Sequence, residues 1–117
     1  MFTFADVNVY LAVGVTDLRK AINGLSILVE AQMDLDPFSG NIFGFCNRKR
    51  NLVKLLYRDI NGFCLWQKKL SKEKFKWPQS QEEEVLNIGT RELKWLLDGL
   101  EIDQLRAHKK LHYQYII

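Results

Sequence analysis

Ten of the 17 lysines and arginines fall within residues 41–77: Arg48, Lys49, Arg50, Lys54, Arg58, Lys68, Lys69, Lys72, Lys74 and Lys76. Only Asp59 and Glu73 oppose them, so this block carries +8 in a chain whose net charge is +3. Half of the aromatic side chains lie in the same stretch: Phe43, Phe45, Tyr57, Phe63, Trp66, Phe75 and Trp77. Cations at this density, interleaved with aromatics, suit an anionic partner, and nucleic acid is the commonest one. The alternative is a solvated sheet face above ordinary core aromatics.

Other chemistries are poorly served. Nuclease and transposase centres gather two or three carboxylates on Mg²⁺. Here Asp17 reads as a helix start, Asp36 as a turn residue and Asp59 as a hairpin residue, with no pattern that converges them. His108 and His112 have i, i+4 spacing, but no HExxH glutamate or third ligand accompanies them. Cys46 and Cys64 fall on strand patterns and read as small buried hydrophobes. No Gly-Lys-Ser/Thr phosphate loop and no GxGxxG is present. The expectation is a protein with no catalytic residues, no metal and no cofactor.

At 117 residues the chain is the size of one domain, with a 47% apolar fraction and 2 prolines that mark it as globular. No apolar run approaches the ~20 residues that span a bilayer. The apolar residues 9–15 follow Asp6 rather than a basic segment, unlike a signal peptide. Two cysteines make no disulfide framework. A soluble, cytoplasmic protein without membrane association is expected.

The elements that must position the cations follow from periodicity. Residues 8–13 read as a strand ending at Gly14. Thr16-Asp17 is an N-cap signal, and Leu18, Ala21, Ile22, Leu25, Leu28, Val29 and Met33 form one stripe of a helix over residues 17–33. Arg19 and Lys20 then sit in its first turn, against the macrodipole, which points either to a functional role for them or to a solvated pair near the N-terminus. Gly24, inside the stripe, implies a close packing contact. Asp36-Pro37-Phe38-Ser39-Gly40 is a turn. The period then becomes two: residues 42–46, 52–58 and 63–70 are strands, with residues 75–77 a further candidate before Pro78. Residues 85–88 form another short strand, and Thr90 caps a helix bearing Leu93, Leu96, Leu97 and Leu100 that closes at Gly99.

Asn61-Gly62 signals a hairpin, with either a two-residue loop or a four-residue loop pairing Arg58 with Phe63. In both registers Val53, Leu55, Tyr57, Cys64, Trp66 and Leu70 share a core face with Lys68. Lys54, Arg58, Gln67 and Lys69 share the other with Leu56 and Leu65, predicting a mixed, basic outer face. The fold expected is α+β: a small antiparallel sheet of three to five strands packed against an N-terminal helix, with a second, C-terminal helix. Residues 1–100 make the domain and residues 101–117 a tail.

Several of these runs occur together in one order: Gly14-Val15-Thr16-Asp17-Leu18-Arg19-Lys20, then Asp36-Pro37-Phe38-Ser39-Gly40 with Phe43 and Phe45. Lys54 to Leu70 follows with Asp59, Gly62 and Phe63, then Phe75-x-Trp77-Pro78 and Leu93-x-x-Leu96-Leu97-x-Gly99-Leu100. In this the chain resembles the TnpB-type accessory protein of the insertion sequence sixty-six family of bacterial transposable elements, over about residues 9–100. Leu18 stands where that family usually has Met and Ala21 where it often has Gly. The resemblance implies an accessory role in transposition, beside a larger protein that carries the catalytic carboxylates.

Phosphate contacts are expected from the loop Arg48-Lys49-Arg50 and from Lys54, Arg58 and Lys69, extended by Lys68, Lys72, Lys74 and Lys76 and joined by Arg19 and Lys20. Arg48 or Arg50 is the candidate for reading guanine. Tyr57, Phe43, Phe45 and Trp66 are expected in the core and Trp77 at the surface. The alternative function is an adapter for the transposase that touches no nucleic acid, with Phe38, Trp77 and Trp95 as its interface.

Overall fold

The period-two segments pair into a single sheet. A computed structural model describes residues 7–79 and 82–102. Within them β1 (Val9–Ala12), α1 (Ile22–Ala31), β2 (Ile42–Cys46), β3 (Leu52–Arg58), β4 (Phe63–Lys69), β5 (Val85–Ile88) and α2 (Thr90–Leu97) follow in order. The strands lie in the order β4-β3-β2-β1-β5, so the class is α+β with a five-stranded sheet. One pairing departs from the antiparallel expectation: β1 runs parallel to β2, with Val9 opposite Ile42. Parallel neighbours need a crossover of a dozen or more residues, and the segment containing α1 supplies it. The β3–β4 hairpin takes the four-residue loop, with Arg58 opposite Phe63.

Both faces of the sheet are covered. On one, Ala12, Phe43, Phe45 and Leu56 pack with Leu25 and Val29 of α1 and with Leu18 and Met33 beside it. On the other, Val9, Leu11, Ile42, Val53 and Leu55 pack with Phe75, Trp77, Leu93, Leu96 and Ile102. The predicted basic outer face is therefore no open surface: Leu52, Leu56, Phe63 and Leu65 on it belong to the core under α1. The predicted inner face holds, with Tyr57, Trp66 and Leu70 packed against the second core.

The first helix is shorter than its apolar stripe. Thr16 is buried, and its N–H donates to the carbonyl of Cys46 at 2.8 Å. The Asp17 carboxylate turns to Arg19, and the helix begins only at Ile22 after an Ala21 N-cap with no side-chain cap bond. Arg19 and Lys20 thus precede the helix, and the dipole argument for them falls away. Gly24 does meet a close contact, since a Cβ there would lie 3.1 Å from that of Lys20. For α2 the N-cap is Gly89 rather than Thr90, its N–H bonded to the Glu92 carboxylate. Gly99 ends that helix at φ +92°, a conformation glycine adopts cheaply.

Residues 75–77 join no ladder. The Phe75 N–H donates to the carbonyl of Arg50 at 2.7 Å, and Trp77 is only 3% exposed, its Nε1–H donating to the carbonyl of Ala12 at 2.9 Å. The expectation of a surface Trp77 is thereby overturned. An indole brings a large apolar area and one N–H that needs a partner, and both needs are met here. Gly44 makes the room: a Cβ on it would stand 2.7 Å from Leu11 Cδ2 and 3.2 Å from the Trp77 ring. Changing Gly44→Ala is expected to destabilise the protein by about 1–3 kcal/mol through overpacking. Urea denaturation measures it, and an unchanged midpoint would mean that Leu11 and Trp77 yield freely.

Candidate nucleic-acid interface

Three segments converge at one end of the sheet. Residues 16–20 are tied down at two points. Thr16 N–H bonds Cys46, and Lys54 Nζ donates to the carbonyls of Leu18 at 2.9 Å and Lys20 at 3.3 Å. Beside them runs the loop between β2 and β3. Asn47 Oδ1 accepts from the N–H groups of Asn51 and Leu52, both at 3.1 Å, while Asn47 Nδ2 donates to Asn51 Oδ1 at 2.7 Å. That bracket sustains Arg50 at φ +57°, an uncommon conformation for a side-chain-bearing residue. The third segment is the end of β4, where Leu70 N–H donates to the carbonyl of Asn51 at 2.7 Å.

Between these segments opens a groove of about 870 Å³ lined by Arg19, Arg48, Lys49 and Lys69 together with the apolar side chains of Val15, Leu18 and Leu52. Four of the twelve predicted phosphate-binding side chains are thus brought together. Arg50 lines a separate cleft of about 450 Å³ with Lys74, Lys76 and Glu101. Lys20 borders a third depression against Gly24 and Ile27 of α1. Lys54 is engaged by the backbone as described, and Lys68, on the opposite face, donates to the carbonyl of Leu97 at 2.9 Å. Arg58 lies at the far end of β3, its guanidinium 5.2 Å from the Phe38 ring.

Asp17 is the residue in the groove that sequence reasoning misassigned. Its carboxylate holds Arg19 by three contacts, Nε at 3.0 and 3.2 Å and Nη2 at 2.7 Å, and accepts the Arg19 backbone N–H at 3.1 Å. Those bonds and the guanidinium charge hold the Asp17 carboxyl well below the usual carboxylate range, and Asp17 in turn raises Arg19 above its ordinary value. The signal was the Thr-Asp-x-Arg spacing, which also fits a helix start. Asn47 and Asn51, flanking three basic residues, were legible only as loop residues.

Among the other predicted interface residues, Phe38 is 58% exposed, its ring 5.2 Å from that of Phe63. Trp95 is half-buried, with the Arg91 guanidinium 5.9 Å from its ring. Phe43 and Phe45 are buried, as expected. Among the described residues no three His, Cys, Asp or Glu side chains cluster to hold a metal, and no helix is long and apolar enough to cross a membrane. His108, His112 and the tail from residue 103 lie outside the described residues.

The fold and the groove define a small α+β domain with a cation-lined open groove. The profile of the family described as "IS66 Orf2 like protein" matches residues 7–107, and the chain belongs to that family. This bears out the resemblance and supports an accessory role in transposition. Among its relatives is the uncharacterized protein y4hO of Sinorhizobium fredii, 35% identical over 96 residues, covering 82% of this chain and 83% of that one. Another is the uncharacterized protein y4jC of the same organism, 32% identical over 85 residues, covering 73% and 72%. No solved structure matches the chain.

Cys46 closes β2, and burial pushes its thiol up to about 11. It should remain unlabelled by Ellman's reagent at pH 8 in the folded protein and react once unfolded. The neutral thiol favours the folded state, so its contribution is complete below about pH 9 and is lost as pH rises towards 11. Prompt labelling of Cys46 in the native protein would contradict this.

Proposed function

We propose that the protein is a non-catalytic accessory factor of transposition that holds DNA through phosphate contacts in the groove. The observation that carries this reading is the convergence of Arg19, Arg48, Lys49 and Lys69, from three separated segments, on one open groove. Cations on a firmly braced loop and strand end hold a phosphate chain without reading its sequence. The test is fluorescence anisotropy with labelled duplexes from the element's ends and a scrambled control, over a salt series. Phosphate contacts by Arg48, Lys49 and Lys69 predict a slope of log K against log salt of about −2.7. The triple variant Arg48/Lys49/Lys69→Ala should flatten it to near zero. Absence of binding at low salt, or a slope unmoved in the variant, refutes the reading.

A second reading is favoured by Phe38, which a rigid turn displays to solvent. Pro37 is buried, the Asp36 carboxylate accepts the Phe38 N–H at 2.9 Å, and Ile60 at the adjoining hairpin tip is 94% exposed. Aromatic and arginine side chains presented in this way are typical anchors of protein interfaces, and the element's transposase is the partner we assign to them. Phe38→Ala should weaken capture of the transposase at least tenfold, with little dependence on salt, while leaving DNA binding unchanged. Undiminished capture would remove Phe38 from the interface.

A further inference from the structure

Arg19 differs from the other cations of the groove, and its geometry points to a different task. We propose that Arg19 reads guanine in the major groove of duplex DNA and that Asp17 is its positioning residue. This rests on the DNA reading above and adds to it the side chain that confers sequence preference.

A guanidinium offers five N–H donors in a planar fork. The Asp17 carboxylate occupies one edge, through Nε and one hydrogen of Nη2. The distal edge, formed by the two terminal nitrogens, is left to face outward from a side chain that is 91% exposed. Two parallel donors at that spacing match O6 and N7 of guanine; adenine and cytosine each place a competing amino donor there. The backbone beneath is equally fixed, because Lys54 holds the carbonyls on both sides of Arg19 and Asp17 accepts the Arg19 N–H. Little conformational freedom remains to be lost on contact.

The carboxylate also argues against a phosphate role for this residue. Asp17 is 44% exposed and ionised, so the pair is close to neutral and its carboxylate repels a phosphate at that point. Hydrogen bonding to the neutral edge of a base survives the pairing. Arg48, Lys49 and Lys69 share the groove and supply the contacts to the backbone on either side. As a structural device alone the pair would accomplish little, since exposed ion pairs contribute only slightly to stability.

The test is selection from randomised duplexes by the purified full-length chain, with the bound pool sequenced, for the wild type and for Arg19→Ala, Arg19→Lys and Asp17→Asn. These are exposed positions, and near-UV circular dichroism checks that folding is intact. The wild type should enrich guanine at one position by about 5- to 150-fold. Both Arg19 variants should lose that preference while keeping the salt slope. Asp17→Asn should relax the preference and raise affinity for all sequences, because a freed Arg19 then pairs with phosphate. Replacing the selected guanine by 7-deazaguanine should weaken the wild type in the same way and cost Arg19→Ala nothing further. The proposal is overturned if the wild type shows no base preference or if a preference survives Arg19→Ala. It also fails if that variant weakens all sequences equally and lowers the salt slope by about one, the mark of a phosphate contact. Binding to no duplex at low salt overturns the DNA reading itself, and this inference with it.

Discussion

Lys54 sits in the first half of β3 on the sheet face that α1 covers, where an unpaired ammonium would be costly. Its Nζ instead reaches past the end of α1 and donates to the carbonyls of Leu18 and Lys20. Hydrogen bonds from a charged donor contribute about 1.5–3 kcal/mol each, enough to decide the conformation of a five-residue segment. With those two carbonyls bonded to a side chain, the chain turns at Leu18 and Arg19 and the helix begins at Ile22. The turn swings Asp17 and Arg19 to the rim of the groove, beside a loop that Asn47 and Asn51 brace independently. One lysine in β3 thus ties the segment that carries the ion pair to the sheet beside the groove.

How much of this could be read from sequence varied with the range of the forces involved. The strands of the hairpin, its face assignment and the second helix were legible because alternation, Asn61-Gly62 and the leucine stripe are local signals, which leave open the choice between the two loop lengths. The start of α1 was not. An aspartate bonding the N–H two residues ahead is the same interaction whether it opens a helix or a turn. What chose between them was Lys54, more than thirty residues away in the chain. Trp77 failed for a similar reason. It was expected at the surface, and the slot that accepts the indole is formed by Gly44, Leu11 and Ala12 across the fold.

The charge of the basic block shows how composition overstates a surface. Lys54 and Lys68 serve carbonyls on opposite faces of the sheet, Lys68 at the end of α2, where a cation also complements the helix dipole. Arg50, Lys74 and Lys76 face another cleft, and Arg58 stacks on Phe38. Only Arg48, Lys49 and Lys69 of the block reach the groove, and the fourth cation, Arg19, comes from the acidic N-terminal third. Net charge draws oppositely charged partners to a surface, yet the local arrangement decides what is touched.

That arrangement has a polarity. Lys54 lies near one end of β3, under the groove, and Arg58 lies at the other, under Phe38. Seven residues of extended chain separate the ends by roughly 20 Å, and α1 lies across the face between them. A duplex lodged at Arg19 and Lys69 would therefore leave the Phe38 turn and the tip at Ile60 open. On the two readings proposed above, DNA and a second protein would therefore not compete for one surface.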